Sequence, residues 1–130
     1  MSAALVNCLA VAFGGALGCV GRWLVSQVPF YAVRASYWST VSVNVAGCLA
    51  IGVVAALFSY YQTDGVWYKL VVTGFLGGFT TYSAFSLDAM RLLQGGNLME
   101  LAMYVGVTFA LWHVLPGCQL LTGYCTYCKL

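Results

Sequence analysis

Residues 73–86 read TGFLGGFTTYSAFS, which combines helix-breaking and polar residues within an otherwise apolar segment. Paired glycines followed by two β-branched threonines and further hydroxyl side chains are poor material for a continuous helix. In hydrocarbon, an interrupted helix survives only where its freed backbone groups are buried in protein or bind an ion, and exposed carbonyls suit a small cation such as Na⁺. The run therefore predicts a membrane helix that is broken near its middle.

The composition of the whole chain is that of a membrane protein. Of the 130 residues, 62% are hydrophobic and only 6% are charged, whereas a soluble domain carries roughly 25% charged residues. The net charge of +2 comes from scattered side chains without a basic run, so nucleic acid is not expected as a partner. So few charged groups also leave little material for a charged active site, and we do not expect an enzyme.

Four segments are apolar and long enough to cross a bilayer, since about 20 apolar residues span its hydrocarbon core. They cover approximately residues 4–28, 37–60, 67–93 and 98–121 and are joined by short, turn-like connections. The sequence therefore predicts a single all-α membrane domain over residues 1–130, with four transmembrane helices per subunit and the third one broken. We expect a multi-pass protein of the cell membrane.

The cationic side chains divide evenly between the two sides of this four-span arrangement. Lys69 and Lys129 fall on the side of the termini; Arg34 and Arg91 fall on the other side, together with Arg22 if it reaches the interface. Positively charged loops normally stay in the cytoplasm, so an even division specifies no orientation. A chain that inserts both ways can pair as a closed, antiparallel two-fold dimer, and we predict such a dual-topology homodimer here.

The first span carries glycines in a pattern that favours close helix packing. Gly14 and Gly18 are four residues apart, the spacing that lets two helices approach closely. Packing alone is a sufficient explanation for each glycine taken singly.

The polar residues in the middle of the spans are uncharged. Thr40 and Asn44 share one helical face, and Asn44 either joins helices or lines a polar path, which its residue type leaves open. Two aromatic residues three positions apart, Tyr82 and Phe85, share another face. Such a pair usually packs in a core, but ring edges beside hydroxyl and amide donors suit an anion. In the fourth span, Tyr104 and Thr108 lie one turn apart and add hydroxyls to the same path.

Three stretches occur in a family-specific order: GGALGCVGRW at residues 14–23, VNVAG at residues 43–47 running on to Gly52, and residues 74–86 of the run quoted first. Together they resemble the CrcB/Fluc family of fluoride channels, and the resemblance covers roughly residues 1–110. It implies a passive, fluoride-selective channel through which cytoplasmic fluoride leaves the cell down its gradient. It also implies a dual-topology homodimer with a structural Na⁺ at its centre. The residues alone do not distinguish fluoride from another small anion.

The resemblance further implies roles for individual residues. The fluoride pathway is expected to be lined by Asn44, Tyr82, Ser83, Phe85, Tyr104 and Thr108. In this pathway Asn44 donates a hydrogen bond, and the aromatic ring edges face the anion. Arg22 is expected in the vestibule. Main-chain carbonyls of Gly77 and Thr80 from both subunits are expected to bind Na⁺.

The chain departs from the family pattern at two places. Tyr82 stands where the family usually has Phe, which adds a hydroxyl beside the anion path. After about Ala110 the family continues an apolar helix, whereas this chain has Trp112, His113 and Pro116. Pro116 is expected to kink or end the helix, because it lacks an amide hydrogen and clashes with the preceding turn.

Two other functions are compatible with a small four-span protein. A dual-topology multidrug-type transporter needs an intramembrane carboxylate to exchange protons for a cationic drug, and the first three spans have none before Asp88. The hypothesis of a non-transporting membrane scaffold explains the glycines but does not explain the interrupted helix or the aligned donors.

Overall fold

The computed structural model describes residues 2–33, 37–62 and 65–127, which form helices and turns and contain no strand. In chain order the elements are α1 (Ala3–Ser26), α2 (Pro29–Val33), α3 (Tyr37–Tyr60), α4 (Val66–Tyr68), a π-helix (Lys69–Leu76), α5 (Gly77–Phe79), α6 (Tyr82–Gln94) and α7 (Leu98–Tyr127). The three elements that cover residues 66–79 follow one another directly and are called the 66–79 segment below.

Three helical segments are long and apolar enough to cross a membrane, as judged from length and composition: Ala3–Ser26, Tyr37–Phe58 and Val66–Gln94. The described apolar part of α7, Leu98–Leu111, is shorter. The prediction of an all-helical protein with membrane-spanning segments is therefore confirmed, and the fourth span stays a prediction.

Helix α7 continues past Pro116 to Tyr127, so one of the two outcomes expected for this proline, the end of the helix, does not occur. A proline removes a single backbone donor from a helix. A helix end within an apolar environment would instead leave several carbonyls and N–H groups without partners. Continuing the helix is the less costly arrangement.

Helix α1 packs backbone to backbone against the 66–79 segment. A Cβ atom on Gly14 or Gly18 would overlap main-chain atoms of that segment, and a Cβ atom on Gly74 or Gly78 would overlap the main chain of α1. The close approach predicted from the spacing of Gly14 and Gly18 is thus confirmed. The facing stretch, Lys69–Leu76, is π-helical, a rare form that frequently occurs at functional sites.

A second packing unit joins α3, α6 and α7. Its buried apolar cluster consists of Val41, Phe85, Leu92 and Tyr104. Helix α6 turns Phe85, Asp88 and Leu92 inward, because residues three and four positions apart share a helical face. This unit brings polar side chains of three helices into one buried layer.

The third apolar segment is interrupted at two threonines. Thr80 has φ −75° and ψ 155°, and Thr81 has φ −150° and ψ 121°, so both are extended between the end of α5 and the start of α6. The Thr81 hydroxyl accepts a hydrogen bond from the Ala84 N–H at 3.3 Å, which caps the new helix. The interruption lies near the middle of the segment Val66–Gln94.

Candidate functional site

Asn44 of α3 forms two hydrogen bonds with the interruption. Its side chain is 1% exposed; Oδ1 accepts from the Thr81 N–H at 2.8 Å, and Nδ2 donates to the Thr81 carbonyl at 3.0 Å. One amide therefore satisfies both backbone groups of an extended residue. The structure shows Asn44 joining two helices, and its place in an anion pathway stays a prediction. Nδ2 carries a second hydrogen beyond the one that Thr81 accepts.

The interruption also changes the carbonyls at the end of the 66–79 segment. In a continuous helix the Thr81 N–H would donate to the Gly77 carbonyl, but here it donates to Asn44. The Thr80 N–H and hydroxyl both donate to the Leu76 carbonyl, each at 3.0 Å. The Gly77 carbonyl thus has no helical partner.

The surroundings of Gly77 and Thr80 fit a cation bound by main-chain oxygens. A cavity of about 220 Å³ borders both residues. Among the described residues, no group of three or more His, Cys, Asp or Glu side chains could hold a metal ion. Carbonyls of unwound helices are ligands that Na⁺ accepts in membrane proteins, so the residues present fit the predicted sodium ion.

The two rings predicted to share a face are neighbours with different environments. Phe85 is buried and stacks on Tyr104, with ring centroids 5.1 Å apart and an interplanar angle of 24°. Tyr82 is 62% exposed, with its centroid 5.7 Å from that of Phe85. Within a single chain, one ring therefore belongs to the core and the other to the surface.

Of the hydroxyl-bearing residues predicted for the pathway, Tyr104 and Thr108 border this core, whereas Ser83 is exposed. Tyr104 and Thr108 are both buried on α7. Thr108 donates to the Tyr104 main-chain carbonyl at 2.7 Å, whereas among the described residues no group lies within hydrogen-bond distance and geometry of the Tyr104 hydroxyl. A buried hydroxyl without a partner costs free energy, so the Tyr104 O–H is a donor suited to a ligand or water. Near the interruption, the hydroxyls of Ser83 and Thr81 lie 3.3 Å apart.

Arg22 lies in a separate cavity of about 280 Å³. The same cavity is bordered by Thr40 of α3 and by Thr81, and Arg22 Nη2 donates to Cys19 Sγ at 3.8 Å. A cation and the extended residue Thr81 both border this cavity, and its role as a vestibule stays a prediction.

Sequence reasoning missed the buried carboxylate of Asp88. Its Oδ2 accepts from the Thr40 hydroxyl at 2.8 Å, and its Oδ1 lies 3.7 Å from Arg91 Nη1. The available signal was the spacing from Phe85, because a residue three positions further along a helix shares its face.

The chain matches the family model described as "CrcB-like protein, Camphor Resistance (CrcB)" over residues 9–119. It is 41% identical over 109 residues to the fluoride-specific ion channel FluC of Rhizobium johnstonii, covering 82% of this chain and 87% of that protein. The Paracoccus denitrificans protein of the same name is 40% identical over 111 residues, covering 84% of this chain and 89% of its own length. The Erwinia tasmaniensis protein of that name is 40% identical over 118 residues, with 84% and 90% covered.

These relatives are named as ion channels rather than enzymes, in agreement with the expectation drawn from the composition. Their similarity extends over most of the described helices, including the interrupted segment. The chain is therefore a multi-pass cell-membrane protein of the CrcB family.

Proposed function

We propose that this chain forms a fluoride-selective ion channel through which cytoplasmic fluoride leaves the cell down its gradient. The names of its relatives support the choice of ion. The structural observation that carries the proposal is the layer of buried, uncharged donors between α3, α6 and α7, formed by Asn44, Tyr104 and Thr108. Fluoride is small and strongly hydrated, so a pathway must replace its water with donors that bind it without holding it too tightly.

In this mechanism each residue has a separate task. Arg22 attracts the anion into its cavity by charge, and Asn44 and the Tyr104 hydroxyl replace part of its hydration shell. The positive ring edges of Phe85 and Tyr82 add further favourable contacts. Thr108 contributes after its hydroxyl rotates away from the Tyr104 carbonyl that it now bonds. The absence of a fixed cation from this layer favours conduction over tight binding.

The proposed channel is an antiparallel homodimer. The even distribution of the cationic residues supports insertion in both orientations, and the exposed ring of Tyr82 offers a surface beside the interruption. A two-fold related copy would bring a second Gly77 and Thr80 to the same centre. The main-chain carbonyls of these residues would hold Na⁺, which supplies a positive charge at the meeting point of the helix ends.

Fluoride efflux from liposomes that contain the purified protein tests the function. With a fluoride electrode, we expect fluoride to leave much faster than chloride does in the matching chloride experiment. Equal permeability to the two ions refutes fluoride selectivity, and the absence of both fluxes refutes the channel in favour of a scaffold.

Two variants test the assignment of the aromatic residues in the same assay. Phe85→Ile is expected to reduce fluoride efflux, because it removes a ring edge from the pathway. Leu87→Ile is the matched control, since Leu87 lies on the exposed side of α6. Size-exclusion chromatography establishes whether both variants keep the assembly of the unmodified protein. An unchanged efflux in Phe85→Ile refutes the residue assignment.

The lysines allow a direct test of dual topology. Both Lys69 and Lys129 are predicted on the side of the termini, so a membrane-impermeant amine reagent applied to spheroplasts reaches only chains with that side outward. Dual topology predicts labelling of about half of the chains. Labelling of all chains or of none refutes it.

One observation favours a second candidate function. Asp88 is a buried carboxylate, the group that a multidrug-type transporter would use to exchange protons for a cationic drug. That function predicts uptake of a cationic dye driven by a pH gradient and abolished in Asp88→Asn. Fluoride efflux without dye uptake excludes it.

A further inference from the structure

Asp88 is a buried acidic group for which the proposed anion pathway has no use. It lies on the inward face of α6, one turn beyond Phe85. A carboxylate beside an anion path repels the anion, and the repulsion is strong where little water is present to screen it. Its presence in the same buried layer as the uncharged donors therefore needs a physical explanation.

The two oxygens of this carboxylate have different partners. Oδ2 accepts the Thr40 hydroxyl hydrogen at 2.8 Å, and Oδ1 lies 3.7 Å from the Arg91 guanidinium. The Asp88 side chain is 11% exposed and that of Arg91 is 66% exposed. The pair therefore joins a buried carboxylate to a guanidinium at the surface, and Arg91 lies in the last turn of α6.

Thr40 connects this pair to the Arg22 cavity. Thr40 borders that cavity, and its hydroxyl donates to Asp88, which is buried in the same layer as Tyr104. The orientation of one hydroxyl at the junction between cavity and donor layer thus depends on the carboxylate.

We infer that Asp88 and Arg91 are positioning residues for anion passage: Asp88 orients the Thr40 hydroxyl, and Arg91 cancels the carboxylate charge that would otherwise repel fluoride. Because the Arg91 guanidinium is largely solvated, its attraction to the carboxylate contributes little to folding stability. Its field nevertheless reaches a nearby low-dielectric path, because charges beside a cleft with low-dielectric walls change the local concentration of ions by factors of roughly 10 to 1,000. This inference rests on the proposed function.

Fluoride efflux from proteoliposomes tests the inference with charge variants. Arg91→Gln leaves the carboxylate uncompensated and is expected to slow efflux roughly tenfold, whereas Arg91→Lys keeps the rate. Asp88→Asn combined with Arg91→Gln removes both charges and is expected to restore most of it. Lys69→Gln is the matched control, because it removes one positive charge at the start of the π-helix, outside the proposed pathway.

The salt dependence provides a second measurement that a merely structural role would not change. The deficit of Arg91→Gln is expected to shrink as ionic strength rises, since the Debye length falls from about 30 Å at 0.01 M to about 8 Å at 0.15 M. A deficit that is the same at both salt concentrations contradicts charge cancellation.

The outcomes separate this inference from the function on which it rests. If the unmodified protein conducts fluoride and Arg91→Gln conducts equally well, the inference is wrong and the channel stands. If the double variant stays as slow as Arg91→Gln, or if Arg91→Gln loses the assembled species on size exclusion, the pair is structural and the inference fails. If the unmodified protein conducts no fluoride, the proposed function fails and the inference fails with it.

Discussion

Replacing Asn44 by alanine tests the hydrogen bonds that hold the interruption. The Asn44 amide accepts from the Thr81 N–H at 2.8 Å and donates to its carbonyl at 3.0 Å. Thr81 is itself only 8% exposed, so water cannot readily replace the lost partner. Asn44→Ala therefore leaves one donor and one acceptor buried without partners.

The expected cost follows from these two groups. A buried polar group that loses its partner costs about 1–3 kcal/mol, so the two together are expected to cost about 2–6 kcal/mol. This is a large part of the roughly 5–15 kcal/mol by which proteins are stable. Local opening at Thr81 then becomes at least about thirtyfold more frequent, since 1.4 kcal/mol corresponds to a factor of ten.

Hydrogen exchange of the purified protein in detergent measures this local opening. Peptides that contain Thr81 are expected to exchange faster in Asn44→Ala, and the denaturation midpoint is expected to fall. Gln94→Ala, which removes a similar amide from an exposed position at the end of α6, serves as the control. Unchanged exchange at Thr81 together with a stability change below about 0.5 kcal/mol refutes the reasoning.

Three further predictions concern packing, the hydroxyl track and the cation. Gly18→Ala is expected to lower the thermal stability, because the added Cβ overlaps the main chain of the 66–79 segment. Gly106→Ala is the control: its Cβ enters open space, so stability stays equal or rises. Equal melting temperatures for the two variants contradict the packing. Thr108→Val removes one hydroxyl and one hydrogen bond, so we expect slower fluoride efflux with a stability loss of only about 1 kcal/mol. Efflux equal to that of the unmodified protein refutes the assignment of Thr108 to the pathway. Exchange of Na⁺ for N-methylglucamine is expected to weaken the dimer on size exclusion, and an unaffected dimer argues against the central Na⁺.

The features that were predictable from the sequence depend on local chemistry or on spacing. The scarcity of charge requires a membrane environment, and the spacing of Gly14 and Gly18 requires a close neighbour. Two threonines after paired glycines disfavour a helix, and the structure has Thr80 and Thr81 extended. Each of these inferences needs only the residue and its neighbours along the chain.

The remaining features depend on contacts between distant residues. From the sequence, Asn44 was compatible either with joining two helices or with lining a polar path. Only its hydrogen bond to Thr81, which lies 37 positions away in the chain, shows that it joins helices. The partner of Asp88, Thr40, lies 48 positions away, so their hydrogen bond was not predictable from local spacing. The exposure of the Tyr82 ring likewise depends on how α6 packs against the rest of the chain.

The interruption gives the proposed sodium and fluoride sites a common physical basis. The end of α5 leaves carbonyl oxygens without helical partners and carries the negative end of a helix dipole, which favours a cation. After the two extended threonines, the first turn of α6 carries the positive end of its own dipole, which favours an anion. Asn44 keeps these two ends apart by satisfying both backbone groups of Thr81. A continuous helix would pair the carbonyls at the end of α5 with N–H groups further along the chain and would leave neither ion a ligand. The two extended threonines are therefore the feature on which both proposed sites depend.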